Sequence, residues 1–457
     1  MKSITHDHNQ SIQDVYHVLK GQNKKYHIST FGCQMNDHDS EKMAGLLETM
    51  GYQFTDQENE ADFILFNTCA VRENAELRVF GNIGRMKPLK QAKPDLIVGV
   101  CGCMMQQDHM IEAIKTKYPY VDLVFGTHNL SAIPDFVRRV MIEKERVIEV
   151  EPDGALVEGL PVVRHLEVKA FVTIMQGCDN FCSYCIVPYT RGREKSRQPE
   201  AILEEIRGLV EQGVKEVTLL GQNVNSYGKG LDPAMDFADL LELVNQIPGL
   251  ERIRFMTSHP KDLTDHLIQA MTLSKVMPTI HLPAQSGSNA VLKAMNRKYT
   301  REDYLDLVAK LRAVVPNIAI TTDLIIGFPG ETDQDVTDMI ELIRQVGFDA
   351  AFTFIYSPRI GTPAARMIDT ISSPQKHARF ERMLEELNQI VIAKNKAREG
   401  QVFEVLIEGP QERSSDYQGR TREDFLVTFP AEKADIGQLR QVRISKARKF
   451  SLEGELV

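Results

Sequence analysis

Near its start the chain repeats one pattern, a short apolar run that ends on a cysteine: YHISTFGC, ADFILFNTC and PDLIVGVCGC. Each run reads as a strand. Stretches of helical period follow the first two, DSEKMAGLLETM and VRENAELRVFGNIGRM. Strand and helix in alternation predict a parallel sheet with crossover helices, because each helix must bury its apolar stripe on the sheet. VDLVFGTHNL supplies a fourth strand, and the domain is predicted to cover residues 26–145. Residues 1–25 are polar and aperiodic and read as an arm.

Residues 152–168, with PDG and EGLP, show no period and read as a linker. A second alternating series begins at VKAFVTIMQGC. Its strands are that segment, KEVTLLGQN, RIRFMTS, TIHLPAQ, IAITTDLIIGF and AAFTFIYS, with helices such as PEAILEEIRGLVEQG between them. Six or so βα units predict an open or partial (β/α) barrel over residues 164–394, since the closed form takes eight. Past the charged helix ARFERMLEELNQIVIAKNKAREG the text becomes short strands split by Gly, Asp and Ser turns. A small antiparallel β-barrel is expected over residues 397–457. The predicted fold class is therefore α/β, with three domains.

Composition narrows the function. At 42% hydrophobic and 26% charged residues the chain fits a globular protein rather than a disordered one. No apolar run reaches the length of a membrane span and MKSITHDHNQ lacks a signal sequence, so a cytoplasmic protein is expected. In that compartment closely spaced cysteines point to metal binding or catalysis, not disulfides. A net charge of −9 means that any RNA binding must rest on local positive charge.

The sharpest local signal is QGCDNFCSYCIVPYTRGRE, where Cys178, Cys182 and Cys185 have CxxxCxxC spacing on the loop after the first barrel strand. A [4Fe–4S] cluster takes four thiolates, so three leave one iron open. That iron can chelate the amino and carboxylate groups of a methionine moiety, and the cluster can pass an electron to its sulfonium. Zinc is the alternative, but zinc ribbons pair CxxC units and no second pair lies nearby. Cys33, Cys69 and Cys103 share no local motif, yet each directly follows a predicted strand. In a parallel sheet the C-terminal strand ends share one edge where ligands bind, so the three can converge on a second three-thiolate cluster. Three separate buried cysteines are the plainer alternative. Cys101 reads as a core residue within its strand, with a ligand role as the alternative.

At these residues the sequence resembles the radical S-adenosylmethionine methylthiotransferase family, from Tyr26 to the C-terminus. NTCAVRENAE, MQGCDNFCSYCIVPYTRGRE, LGQNVNSY, FMTSHP and HLPAQSGS carry a finer match to the branch that acts on isopentenylated adenosine in tRNA. The resemblance implies two [4Fe–4S] clusters, S-adenosyl-L-methionine as cofactor, and a C-terminal TRAM domain that grips RNA. No catalytic residue is assigned beyond the cluster cysteines. Gln222 and Asn223, Gln285 and Ser286, and the backbone at Gly327 follow the second, fourth and fifth barrel strands, where the cofactor would lie. The plain reading of such residues is a turn.

The expected reaction is methylthiolation of carbon 2 of isopentenyladenosine 3′ to the anticodon, an unactivated C–H bond that a radical can break. The alternatives are threonylcarbamoyladenosine in tRNA, a ribosomal-protein aspartate, or, in another class, a metal-stabilised RNA-binding protein without catalysis. Expected partners are a tRNA anticodon stem-loop and an electron-donor protein, with a monomeric chain and no membrane. Phosphate contacts need local cations. Arg191 and Arg193 beside the cluster loop, and Arg443, Lys446 and Arg448 near the C-terminus, are the candidates.

Overall fold

The computed structural model describes residues 6–70, 73–164, 168–411 and 414–457. They form two compact units. One holds the residues up to 164 with Gln176–Asn180 and Ile186–Lys195; the other holds 168–175, Phe181–Cys185 and Ser196–Val457.

In the first unit β1 (Lys25–Thr30), β2 (Gln53–Phe54), β3 (Phe63–Thr68), β4 (Ile97–Gly102), β5 (Leu123–Phe125) and β6 (Val147–Glu149) make one parallel sheet in the order β2-β1-β3-β4-β5-β6. Every residue of β3 and β4 is buried, as in central strands covered on both faces. Phe63 and Leu65 pack with Leu46 and Leu47 of the helix Gln34–Thr49, while Ile64 and Phe66 pack with Val79 and Ile83 of the helix Glu73–Ala92. The order reverses between β1 and β3. Their following helices leave toward opposite faces, which opens a crevice at the strand ends.

The structure corrects two expectations here. Residues 6–19 are not an arm: His6–Leu19 is a helix that buries Ile12, Val15 and Leu19 at helical spacing in the core containing Phe63. The sheet does not stop at 145, because β6 adds a sixth strand beside β5. Residues 152–164, read as a linker, carry no named helix or strand, and Val163 N–H donates to Glu41 O at 3.0 Å.

The second unit contains six parallel strands in two groups of three. Lys169–Thr173, Glu216–Leu220 and Arg252–Phe255 form one group; Thr279–His281, Ala319–Ile326 and Ala350–Ile355 form the other. A bridge between Ile253 and Val276 links the two, giving the open (β/α) barrel that the strand count implied. The chain then runs along the helix Ser373–Lys396 into a closed five-stranded barrel. Four of its pairings are antiparallel, as expected of the small barrel, and one, between Leu426–Phe429 and Leu452–Leu456, is parallel. Val405, Ile407, Val427, Phe429, Val442 and Ile444 fill it.

Two buried arginines fasten this barrel to the N-terminal ends of the neighbouring strands. Arg254 pairs with Glu216 at 2.9 Å and donates to the carbonyls of Thr421 and Arg422. Arg252, wholly buried, donates to Arg420 O at 2.8 Å and pairs with Glu404 at 3.1 Å. Among the described residues no helix is long and apolar enough to cross a membrane.

Candidate functional site

In the first unit Cys33, Cys69 and Cys103 sit just past the ends of β1, β3 and β4. These strands are adjacent and in register, Thr30 beside Asn67 and Thr68 beside Gly102. With strands about 4.8 Å apart, the three cysteines occupy one edge at the crevice. Glycines make the approach possible. Gly102 adopts φ 93°, and a β-carbon there would lie 2.5 Å from Asn67 Oδ1 and Thr68 O, so only glycine turns the chain into Cys103. Cys69 and Cys103 are buried and Cys33 is exposed. Cys101 lies inside β4, its sulfur against Met43 Sδ at 3.6 Å, as a core residue does.

Around these sulfurs the polar groups are tightly fixed. Asn36 donates to the carbonyls of Phe31 and Thr68 at 2.8 and 3.0 Å, tying the loops after β1 and β3 together. Burial pushes the Cys103 thiol up to about 12; the Arg191 guanidinium opposes this, and the charges of Cys69 and Cys33 add to it. Three sulfurs that repel one another as thiolates are a poor arrangement without a cation between them and a suitable one with it, since metal binding takes thiolates deprotonated. The donor set fits an iron–sulfur cluster with three protein ligands.

Arg191, expected to face RNA, is instead buried. Its Nε donates to Cys103 Sγ at 3.1 Å, its Nη2 to Asn36 Oδ1 at 2.7 Å, and its Nη1 pairs with Asp39 at 2.7 Å. A run of basic residues reads the same from sequence whether it faces water or a buried carboxylate. Arg193 remains 67% exposed and pairs with Asp179. Cys178 belongs to this unit, where its N–H donates to Gly192 O at 3.2 Å.

Cys182 and Cys185 belong to the second unit, Cys182 buried and Cys185 half-buried. Arg297, also buried, donates Nη1 to Cys182 Sγ at 3.3 Å and Nη2 to Pro283 O at 2.9 Å. Burial holds Tyr184 well above the usual tyrosine range. His259 is pushed down to about 2 by burial, with Arg297 and Lys261 adding, so its ring is neutral.

The barrel strands end in a set of buried polar atoms that have no hydrogen-bond partner among the described residues: Asn223 Oδ1, both amide atoms of Asn225, Ser258 Oγ and Gln285 Oε1. Buried polar groups are normally hydrogen-bonded, so such a cluster marks the place of a polar ligand. Gln285 is further held at φ 67°, a left-handed conformation that side chains rarely adopt. These residues fit a cofactor with amino, carboxylate and ribose groups. Gln222 lies beside Asn223, whose Nδ2 is taken by Asp262 at 2.7 Å. Ser286 Oγ accepts from Ser288 N, which leaves its hydroxyl free to donate, and Gly327 N–H donates to Glu331 at 3.0 Å. Burial raises that Glu331 carboxyl to about 7, with Gly327 N–H and Arg379 opposing.

On the small barrel Arg443, Lys446 and Arg448 are exposed, and Arg448 pairs with Glu453. Residue reasoning did not single out Arg297, Asn225, Ser258, Asn36 or Asp39. Asn225 and Ser258 lie inside LGQNVNSY and FMTSHP, whereas Arg297 stands 115 residues from the cysteine it touches and carries no local mark.

Residues 25–126 match the family described as Uncharacterized protein family UPF0004, 172–343 match the Radical SAM superfamily, and 396–457 match the TRAM domain. A protein of Clostridium novyi called tRNA-2-methylthio-N(6)-dimethylallyladenosine synthase is 54% identical over 95% of this chain and 97% of its own. One of Alkaliphilus oremlandii with the same name is 54% identical over 98% of this chain and 95% of its own. Among solved structures, the radical S-adenosylmethionine methyltransferase TsrM of Kitasatospora setae matches with a TM-score of 0.55 at 13% identity, covering 75% of this chain and 74% of that one. At that identity the likeness is one of fold.

Proposed function

Because the chain belongs to the family of tRNA-2-methylthio-N(6)-dimethylallyladenosine synthases, a radical S-adenosylmethionine enzyme family, we propose that it methylthiolates carbon 2 of the N(6)-dimethylallyl (isopentenyl) adenosine 3′ to the anticodon in tRNA. The observation that carries this reading is the row of Cys33, Cys69 and Cys103 at three adjacent strand ends, in a chain that also bears CxxxCxxC. Relatives at 54% identity with the same printed substrate favour it over threonylcarbamoyladenosine, a ribosomal-protein aspartate or a non-catalytic RNA binder.

Cys33, Cys69 and Cys103 would hold an auxiliary [4Fe–4S] cluster, and Cys178, Cys182 and Cys185 the cluster that faces S-adenosyl-L-methionine. When bound, these groups would supply the radical that removes the C2 hydrogen and the methylated sulfur that replaces it. The protein's own part is positioning. Asn223, Asn225, Ser258 and Gln285 offer unpaired polar atoms to the cofactor, and Gln222, Ser286 and Gly327 shape the neighbouring turns. Arg297 holds the Cys182 sulfur through Nη1 and would offset the charge of a cluster-ligating sulfur there. Neutral His259 packs edge-on against Tyr299 and adds no second cation.

The substrate is single-stranded at the anticodon loop, so its base can be splayed out for reaction. Arg443, Lys446 and Arg448 on the TRAM domain, with Arg193, meet its phosphates. The protein works in the cytoplasm as a monomer, reduced by an electron-donor protein. Mass spectrometry of tRNA nucleosides from cells with and without the gene tests the reading. Loss of the methylthio group with accumulation of the dimethylallyl nucleoside is expected; an unchanged nucleoside profile overturns it.

A further inference from the structure

Arg191 makes three contacts with three different chemistries inside the first unit, and none of them needs RNA. The guanidinium fork spans Cys103 Sγ at 3.1 Å, Asn36 Oδ1 at 2.7 Å and Asp39 Oδ2 at 2.7 Å. It is 5% exposed, and Asp39 is 6% exposed. A cation is brought into the interior only at a large desolvation cost, which a full set of partners offsets. Here one partner is a carboxylate and another is a cysteine sulfur. A structural ion pair would need only the carboxylate.

We propose that Arg191 and Asp39 form a charge pair that sets the reduction potential of the auxiliary cluster held through Cys103, with Arg191 as a positioning residue that hydrogen-bonds the ligand sulfur. The proposal rests on the assignment of Cys103 as a cluster ligand. Its physical basis is general: N–H donors to ligand sulfurs, and the net charge beside a cluster, are among the settings of its potential. Arg191 supplies both. A guanidinium at the sulfur stabilises the reduced, more negative cluster and raises the potential. Asp39 opposes part of that charge and keeps the fork aimed, while Asn36 carries the alignment to the loops after β1 and β3.

The sequence gives the pair a second consequence. Arg191 stands six positions after Cys185, on the segment that leaves the CxxxCxxC motif. The peptide that carries one set of cysteines thus also carries the side chain that grips a member of the other set. Displacing that segment withdraws the hydrogen bond from Cys103.

The test uses the full chain with Cys178, Cys182 and Cys185 replaced by Ala, so that the auxiliary cluster alone reports. Iron content and midpoint potential are measured by anaerobic titration with electron paramagnetic resonance, for that parent and for Arg191→Gln and Asp39→Asn made in it. Arg191→Gln removes the donor and the cation, so the potential falls. Asp39→Asn removes the opposing anion, so the potential rises. The opposite signs separate an electrostatic role from a structural one, which would shift both variants alike or neither. Should Arg191→Gln not fold, the rise in Asp39→Asn decides by itself. Unchanged potentials, or shifts of the same sign, overturn the proposal. Cys103→Ala in the same parent checks the ligand assignment separately: iron content unchanged by that substitution overturns the assignment, whatever Arg191 does.

Discussion

A β-carbon on Gly32 would stand 2.6 Å from the Cβ and 2.9 Å from the Sγ of Cys69, and Gly32 holds φ 123°, so the loop carrying Cys33 lies directly on the loop carrying Cys69. Both the conformation and the space demand glycine. Gly32→Ala is expected to push Cys69 off its position and to lower the iron content of reconstituted protein, while the far-ultraviolet circular dichroism stays that of the folded chain. Overpacking of this kind costs roughly 1–3 kcal/mol, which a thermal melt reads alongside the iron assay.

Arg254 and Glu216 are both nearly fully buried and pair at 2.9 Å, while Arg254 also holds the carbonyls of Thr421 and Arg422. Removing Arg254 leaves the buried Glu216 carboxylate with only the more distant Arg252 guanidinium, at 3.9 Å. Arg254→Met is therefore expected to destabilise the second unit by about 3–5 kcal/mol in chemical denaturation. The double variant Arg254→Met/Glu216→Met should recover part of the loss, because no orphan charge remains.

Glu331 gives stability a pH dependence of known sign. Its folded carboxyl is raised to about 7 from an ordinary value of 4.5, chiefly by burial. A raised folded value means that the native state binds the proton more tightly than the unfolded chain does. The contribution is complete below about 4.5 and is lost as pH rises through about 7. Glu331→Gln should reduce the fall in melting temperature across that window, a difference read by comparing melts of the two proteins at pH 5 and pH 8, on either side of the native carboxyl's titration.

Arg443 and Lys446 lie on the outer face of the small barrel, on the strand Leu439–Ala447, whose Val442 and Ile444 point into the core. Replacing both with Ala should weaken tRNA binding without changing sequence preference. The dependence of log affinity on log salt should lose about one in slope per phosphate contact removed. Filter binding at several salt concentrations reads both quantities. Arg191→Gln, by contrast, should leave the slope unchanged, since that side chain is buried on Cys103.

The periodicity of the chain carried the fold a long way, because fully apolar runs such as FILF and IVGV have few choices other than a buried parallel strand. It also placed three cysteines at strand ends without any local motif. What it missed was decided by contacts distant in sequence. The helix His6–Leu19 looks polar because only one narrow face is buried, through Ile12, Val15 and Leu19. Arg191 and Arg193 read alike as candidates for phosphate contact, yet Arg191 is buried beside Asp39 while Arg193 faces solvent. The parallel pairing that closes the small barrel follows from which strand returns to which neighbour, and alternation within a strand is silent about that.

The proposed reaction divides its labour between two sets of three cysteines. The direct measurement is anaerobic turnover with tRNA bearing dimethylallyladenosine, followed by mass spectrometry of both the nucleosides and the products of S-adenosylmethionine. Cys182→Ala should abolish cofactor cleavage and nucleoside modification together. Cys69→Ala should still cleave the cofactor to 5′-deoxyadenosine and form no methylthio nucleoside. Methylthiolation by the Cys69→Ala protein would contradict the account.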